Sequence, residues 1–268
     1  MKKQTKMIRS YTNTSFQYTI GNIDVFCDKQ FHPNYEIYFL LNGNVEFISD
    51  HIRTKLEPFN VVVIPPGKYH HFAVAEDCVS SYERCVLNIY PEHLEKTVIN
   101  EALVDKGILD LSHDHRIAKN LMYLKEIMDS CSEKDFEYIL SAVATDIIFL
   151  IKHYDSPMQQ PCNSFSHPLS CEIMKYINEH YKSNLSLCDV AKHFCFSVSS
   201  ISHTFKDDFG ISIKKYITEK RMNEIHLRLK NGEKPLELFE EFGFCNYSTF
   251  YRCYCKYYGM PPSRSIKK

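Results

Sequence analysis

The sequence predicts an α+β, multidomain chain: an N-terminal β-barrel, a helical segment behind it, and an all-α C-terminal domain. Three observations carry this expectation. Residues 16–90 consist of short apolar runs broken by turn signals. Beyond Pro91 the apolar residues recur in steps of three and four. From Leu187 onward a single helix-turn-helix spacing occurs twice.

The runs Glu36-Ile37-Tyr38-Phe39-Leu40-Leu41, Val45-Glu46-Phe47-Ile48 and Val61-Val62-Val63-Ile64 are rich in β-branched and aromatic residues. Such side chains suit a pleated, packed surface. Asn42-Gly43, Pro58 and Pro65-Pro66-Gly67 bound the runs with residues that turns require. Many short strands separated by turns indicate a barrel or a sandwich. This β-domain is placed at residues 1–112.

After Pro91 the stretches 92–104 and 115–130 read as helices. The strongest stripe joins Phe136, Ile139, Leu140, Val143, Ile147, Leu150, Ile151 and Tyr154. It can pack on its own β-domain or form half of a symmetric helix pair between protomers, and the two uses are compatible. Residues 113–155 are placed as one helical segment, with both uses open. The polar, proline-bearing stretch 156–168 reads as a linker.

Residues 169–268 open with a helix near Ser170 to Tyr181. Leu187, Val190, Ala191 and Phe194 then follow at i, i+3, i+4, i+7. A turn through Cys195 and Phe196 leads to Ser197 and to a second helix with Ile201 and Phe205 on its inner face. Pro235, Leu238, Phe239 and Phe242 repeat the first spacing 48 positions later, and Phe250 and Tyr254 lie 49 positions after Ile201 and Phe205. One extra turn residue accounts for the slip. Gly210 and Gly259 end the two copies, where a helix terminus favours left-handed backbone. Two such units can present helices to successive major-groove segments of DNA.

Charge agrees with that division. Residues 168–268 carry 16 Lys+Arg against 11 Asp+Glu, whereas residues 1–167 carry 16 against 22. A basic half beside an acidic half fits a nucleic-acid domain next to one of another kind. A hydrophobic content of 44% with regular periodicity excludes a disordered chain. The 11 cysteines include no CxxC pair and read as reduced, buried thiols. The polar opening Met1-Lys2-Lys3-Gln4 is unlike a signal peptide, and no 18-residue apolar run offers a membrane span. A cytoplasmic protein is expected. No nucleophile-base set, phosphate loop or paired acid is evident, so neither enzyme activity nor a cofactor is expected.

The segments Leu185-Ser186-Leu187-Cys188-Asp189-Val190-Ala191, Ser197 to Lys206 with Gly210, and Tyr216 to Arg221 resemble the AraC/XylS family of bacterial transcription regulators. So do Glu241-Phe242-Gly243-Phe244, Thr249-Phe250-Tyr251-Arg252, Lys256-Tyr257-Tyr258-Gly259 and Pro262-Ser263. The resemblance implies two helix-turn-helix subdomains on one long helix, roughly 212–230. It also implies binding to double-stranded promoter DNA, and contact with RNA polymerase if the protein activates.

The N-terminal half is similar to the family's cupin-like, sugar-sensing domain through His32-Pro33-Asn34-Tyr35-Glu36-Ile37-Tyr38, Gly43, Ile64-Pro65-Pro66-Gly67-Lys68-Tyr69-His70 and Tyr82-Glu83-Arg84. That similarity implies a small-molecule effector, and the helices near 115–154 fall where such regulators dimerise, which implies a homodimer. Five places depart from the family pattern: Ile225 and Phe239 replace small residues, Cys195 a glycine, Cys255 a lysine, and Ser265-Ile266 an aromatic-basic pair.

Within the first unit the outer stripe is Ser199, Ser202, His203 and Lys206, at i, i+3, i+4, i+7. Hydroxyls and imidazole can reach base edges, and a lysine suits phosphate. The second unit offers Tyr247, Ser248, Tyr251 and Arg252, and a guanidinium can read guanine through two hydrogen bonds. Ser197 and Asn246 are expected as N-caps, and Arg221 as a structural residue. In the sensor half His32, Glu36, Tyr38 and His70, with Tyr35, Tyr69 and Phe72 nearby, are expected to line a pocket for a small polar, carbohydrate-like ligand. A competing reading is a metal-dependent cupin enzyme with an accessory DNA-binding domain. Asn34 stands where that chemistry wants a second histidine, and no metal is expected.

Overall fold

The structure, a computed structural model, describes residues 5–21, 31–49, 52–75, 78, 80–90, 107–111, 114–154 and 168–266. The helix expected at 92–104 and the linker expected at 156–168, Pro168 excepted, lie outside the described residues. Chain contacts divide the protein into two compact units. One takes in Met1–Asp28, Asn34–Ile48 and Arg53–Cys162, and the other Lys29–Pro33, Ser49–Ile52 and Asn163–Lys268.

The strands are β1 (Thr5–Ser10), β2 (Thr14–Ile20), β3 (Tyr35–Asn42), β4 (Val45–Ser49), β5 (Arg53–Leu56), β6 (Asn60–Ile64), β7 (His70–Val74), β8 (Glu83–Ile89) and β9 (Ile108–Asp110). They form a six-stranded sheet in the order β1-β2-β8-β3-β6-β9 and a three-stranded sheet in the order β5-β4-β7. The architecture is thus a pair of sheets, with no closed barrel among the described residues. Strand β3 lies between β8 and β6, with Tyr38 opposite both Val86 and Val62. All six residues from Tyr35 to Leu40 are buried, so both faces of this strand are covered.

Side chains alternate across a strand, and the two faces of β3 serve different neighbours. Tyr35, Ile37 and Phe39 join Phe16, Val61, Val63 and Leu87 in a core packed by two helices, α1 (Arg116–Ile127) and α2 (Glu133–Lys152). Glu36 and Tyr38 face the other way, and the Tyr38 ring stacks on Phe72 of β7 at 3.8 Å. Helix α2 begins at Ser132, whose hydroxyl accepts from the Asp135 amide, and Glu133 and Asp135 complement its positive end. Its inner stripe of Phe136, Leu140, Ala144, Ile147, Ile148 and Ile151 is fully buried against its own sheet. That settles one of the two expected uses of the stripe: Ile147 belongs to the core of its own unit. The outward face instead carries Tyr138 at 68% and Phe149 at 46% exposure.

The second unit contains α3 (Pro168–His180), α4 (Leu187–His193), α5 (Val198–Phe209), α6 (Ile213–Lys230), α7 (Pro235–Glu241) and α8 (Tyr247–Tyr258), then a short 3-10 turn at Pro262–Arg264. Ser197 and Asn246 are the N-caps of α5 and α8, accepting from the Ser200 and Thr249 amides at 3.1 and 2.8 Å. Gly210 and Gly259 end those helices with φ of 69° and 67°. The helix-turn-helix turns differ in a way the chain chemistry explains. Gly243 sits at φ 65°, and a Cβ there would meet the Ser183 carbonyl oxygen at 2.9 Å. Cys195 holds the matching left-handed conformation at φ 59°, where an L side chain costs about 1–2 kcal/mol. The bulk of Phe239 is taken up by an aromatic cluster, edge-on to Tyr247 at 5.6 Å.

Candidate nucleic-acid interface and ligand site

Helices α5 and α8 have the same two-sided construction. Ile201 and Phe205 on α5, and Phe250 and Tyr254 on α8, have no exposed surface. Burying a large apolar side chain contributes about 1.5–3 kcal/mol, which fixes the rotation of each helix about its axis. The opposite faces are therefore held outward. On α5, Ser199, His203 and Lys206 are exposed and Ser202 is half-buried. On α8, Ser248, Tyr251 and Arg252 are exposed, while Tyr247 is half-buried among Phe239, Phe250 and Tyr251. The Tyr247 ring thus serves first as packing for its own subdomain. His203 Nδ1 lies 2.7 Å from Asp207 Oδ2, one turn along α5.

Arg221 points the other way. Its Nε donates to the Tyr181 carbonyl at 2.7 Å and its Nη2 to the Ser183 carbonyl at 2.6 Å. It ties α6 to the chain leaving α3, the structural role expected of it. A second buried tie joins α6 to α8: His226 Nδ1 and the Tyr254 hydroxyl are 2.6 Å apart, and that hydroxyl donates to Ser265 Oγ at 2.7 Å. Ser265, which departs from the family pattern, is thus a partner in the core of the second subdomain.

In the sheet unit, the face of β3 turned away from the helices gathers polar and aromatic groups. Glu36 Oε2 and His70 Nε2 are 3.9 Å apart and both residues are buried. His70 Nδ1 is 3.2 Å from the Lys68 carbonyl. The Tyr38 and Tyr82 hydroxyls are 2.8 Å apart, and the Arg84 guanidinium lies 5.8 and 5.5 Å from those two rings. Burial holds both phenols above the ordinary tyrosine range, so each stays a neutral hydrogen-bonding group. Burial likewise pushes His71 down, favouring its neutral form.

Of the residues expected here, Glu36, Tyr38 and His70 come together in this unit, with Phe72 stacked on Tyr38. His32 is buried as well. Tyr35 faces the helices instead and is part of the apolar core. Tyr82 and Arg84 are the additions that sequence reasoning left outside the site. Asn34 donates to Asn88 Oδ1 at 2.7 Å, so its amide is engaged in bracing β3 against β8.

Comparison with known proteins follows the same division. Residues 18–144 match the AraC-like ligand binding domain, and residues 190–268 match a helix-turn-helix domain. The multiple antibiotic resistance protein MarA of Escherichia coli (strain K12) is 32% identical over 93 residues, 34% of this chain and 73% of MarA. The arabinose operon regulatory protein of the same strain is 22% identical over 252 residues, 91% of this chain and 84% of that protein. The crystal structure of ToxT from Vibrio cholerae O395 aligns over 98% of this chain and 95% of its own, at 13% identity and a TM-score of 0.37.

Proposed function

The chain belongs to the AraC family of DNA-binding transcription regulators with a ligand-binding domain, and from that premise we propose how its own residues divide the work. Helices α5 and α8 read a specific promoter site in the major groove. On α5 the readers are Ser199, Ser202 and His203, with Lys206 on phosphate; on α8 they are Ser248, Tyr251 and Arg252, with Tyr247 at the rim. The observation that carries this is the paired outward stripe, each one fixed by a fully buried face behind it.

The sheet unit senses a small polar ligand through Glu36, Tyr38 and His70, with Tyr82 and Arg84 beside them, and a carbohydrate-like compound suits their mix of aromatic faces and hydrogen-bonding groups. His32 is carried as a further pocket residue. The protein works in the cytoplasm as a homodimer without catalytic activity, and contacts RNA polymerase where it activates. Exposed Tyr138, Ala142 and Phe149 on the outer face of α2 support the dimer. In an antiparallel pair about a two-fold axis between positions 142 and 145, Tyr138 meets Phe149, and Asp135 meets Lys152. Domain limits follow as 1–112 for sensing, 113–155 for dimerisation, 156–168 for the linker and 169–268 for DNA binding.

Selection of bound duplexes from a random pool, followed by binding titrations at several salt concentrations, tests the DNA reading. Arg252→Ala is expected to weaken the selected site by about 1–3 kcal/mol and relax one base position. Lys206→Ala is expected to weaken all sequences alike and lower the salt slope by about one. Selection of no preferred sequence by the native chain counts against the assignment.

A further inference from the structure

A carboxylate on a face offered to a polyanion is unfavourable unless it does something there. Asp207 is such a group: its side chain is 52% exposed on α5, beside the stripe of Ser199, His203 and Lys206. Its Oδ2 lies 2.7 Å from Nδ1 of His203, whose own side chain is 80% exposed. We propose that Asp207 is a positioning residue that fixes the tautomer of His203, and so makes His203 a reader of exocyclic amino groups in the major groove.

The chemistry follows from the proton count on one ring. A neutral imidazole carries one N–H, and the other nitrogen is then an acceptor. An ionised carboxylate only accepts, so a carboxylate oxygen 2.7 Å from Nδ1 favours the tautomer with the proton on that nitrogen. Nε2 is left with its lone pair, pointing away from the carboxylate. The same contact restrains the ring, because the two side chains are one helical turn apart. A second group that sets which imidazole nitrogen carries the proton is a familiar determinant of what a histidine can do.

An acceptor at Nε2 selects donors. On the contacted strand adenine offers N6 and cytosine offers N4 as amino donors, whereas guanine and thymine present the carbonyl oxygens O6 and O4. His203 held in this tautomer therefore favours A or C over G or T at one position. The opposite tautomer, with the proton on Nε2, reverses that choice. The inference rests on the reading of α5 as a groove-facing helix with His203 on base edges.

The test is selection from random duplexes at pH 8 by the full-length native chain, His203→Ala, Asp207→Asn and Asp207→Glu, each first checked for an unchanged thermal midpoint. The native chain is expected to show one position where A and C are favoured by about 2–10-fold, the range of a single hydrogen bond. His203→Ala should level that position. Asp207→Asn should also level it, because an amide can meet Nδ1 as donor or acceptor and releases the tautomer. Asp207→Glu should retain it.

Loss of a negative charge raises affinity for every sequence alike, so the base ratio, not the affinity, is the readout. A preference abolished by His203→Ala but untouched by Asp207→Asn overturns the role of Asp207 and leaves His203 a reader. A His203-dependent preference for G or T overturns the tautomer. An identical base profile for His203→Ala and the native chain overturns the reading of His203 itself.

Discussion

Arg221 donates from Nε to the carbonyl of Tyr181, the first residue past α3, at 2.7 Å. A carbonyl at the end of a helix lacks an intrahelical partner, and a guanidinium can satisfy two such groups at once. The second bond, to Ser183, completes the clamp between α3 and the long helix α6. Arg221→Ala removes two charge-assisted bonds of about 1.5–3 kcal/mol each. Urea unfolding of the full chain is expected to show the transition of the helical unit moved to lower denaturant. Arg221→Lys should recover little, because an ammonium lacks the fork. Duplex selection by the folded Arg221→Ala protein is expected to return the native base preferences. A changed preference at unchanged stability would mean that Arg221 contacts DNA.

Local signals made much of this fold legible. The apolar runs that became β3 and β6 were bounded by Asn42-Gly43 and Pro65-Pro66-Gly67, residues that turn the chain whatever lies elsewhere. The 48-residue repeat exposed both helix-turn-helix units, because i, i+3, i+4, i+7 spacing depends only on helix geometry. The order of strands was not legible, since pairing β3 with both β6 and β8 depends on contacts remote in sequence. Arg84 reaches the ring of Tyr38 because β8 pairs with β3 so that Arg84 lies opposite Leu40, which no local pattern encodes. Tyr35 shows the sensitivity of a strand to a single step: one residue before Glu36, it faces the helices and leaves the site. The caps at Ser197 and Asn246 were readable because their partners lie three residues away.

The two faces of α2 give opposite outcomes to the same kind of substitution. Tyr138→Glu and Phe149→Glu place charge on exposed positions and are expected to yield a folded monomer by sedimentation velocity at micromolar concentration. Ile147→Glu places an unpaired carboxylate where the native side chain has no exposed surface, a cost large enough to unfold a marginal domain. It is expected to lose the native fold rather than the dimer alone. A native chain that sediments as a monomer sinks the homodimer assignment. A dimer indifferent to both outer variants moves its interface elsewhere.

Cysteine reactivity separates surface from core in one experiment. Burial pushes the Cys85 thiol up to about 12, with Glu83 adding to the effect and Lys125 opposing it. The thiolate is the reactive form, so at pH 8 Cys85 is almost entirely protonated as well as inaccessible. Cys188, Cys195 and Cys245 are exposed. Iodoacetamide at pH 8 with peptide mass spectrometry is expected to label those three within minutes and Cys85 only after denaturation. Rapid labelling of Cys85 in the folded protein would contradict its place in the core between sheet and helices.

The ligand site can be tested without knowing the ligand. Glu36 and His70 are buried 3.9 Å apart, beside a Tyr38 ring already stacked on Phe72. A neutral polar compound that hydrogen-bonds this pair and lies against those rings stabilises the folded state by RT ln(1 + [L]/Kd), about 2.7 kcal/mol at a hundredfold excess over Kd. A thermal-shift screen of sugars and related polar metabolites is therefore expected to give at least one shift, insensitive to chelator and lost in His70→Ala. Ligand-free DNA binding should survive in that variant, because α5 and α8 belong to the other compact unit. A shift abolished by chelator would instead make the buried carboxylate and imidazole part of a metal centre, and would reopen the enzymatic alternative. Absence of any shift across the screen would leave the sheet unit as a structural and assembly domain.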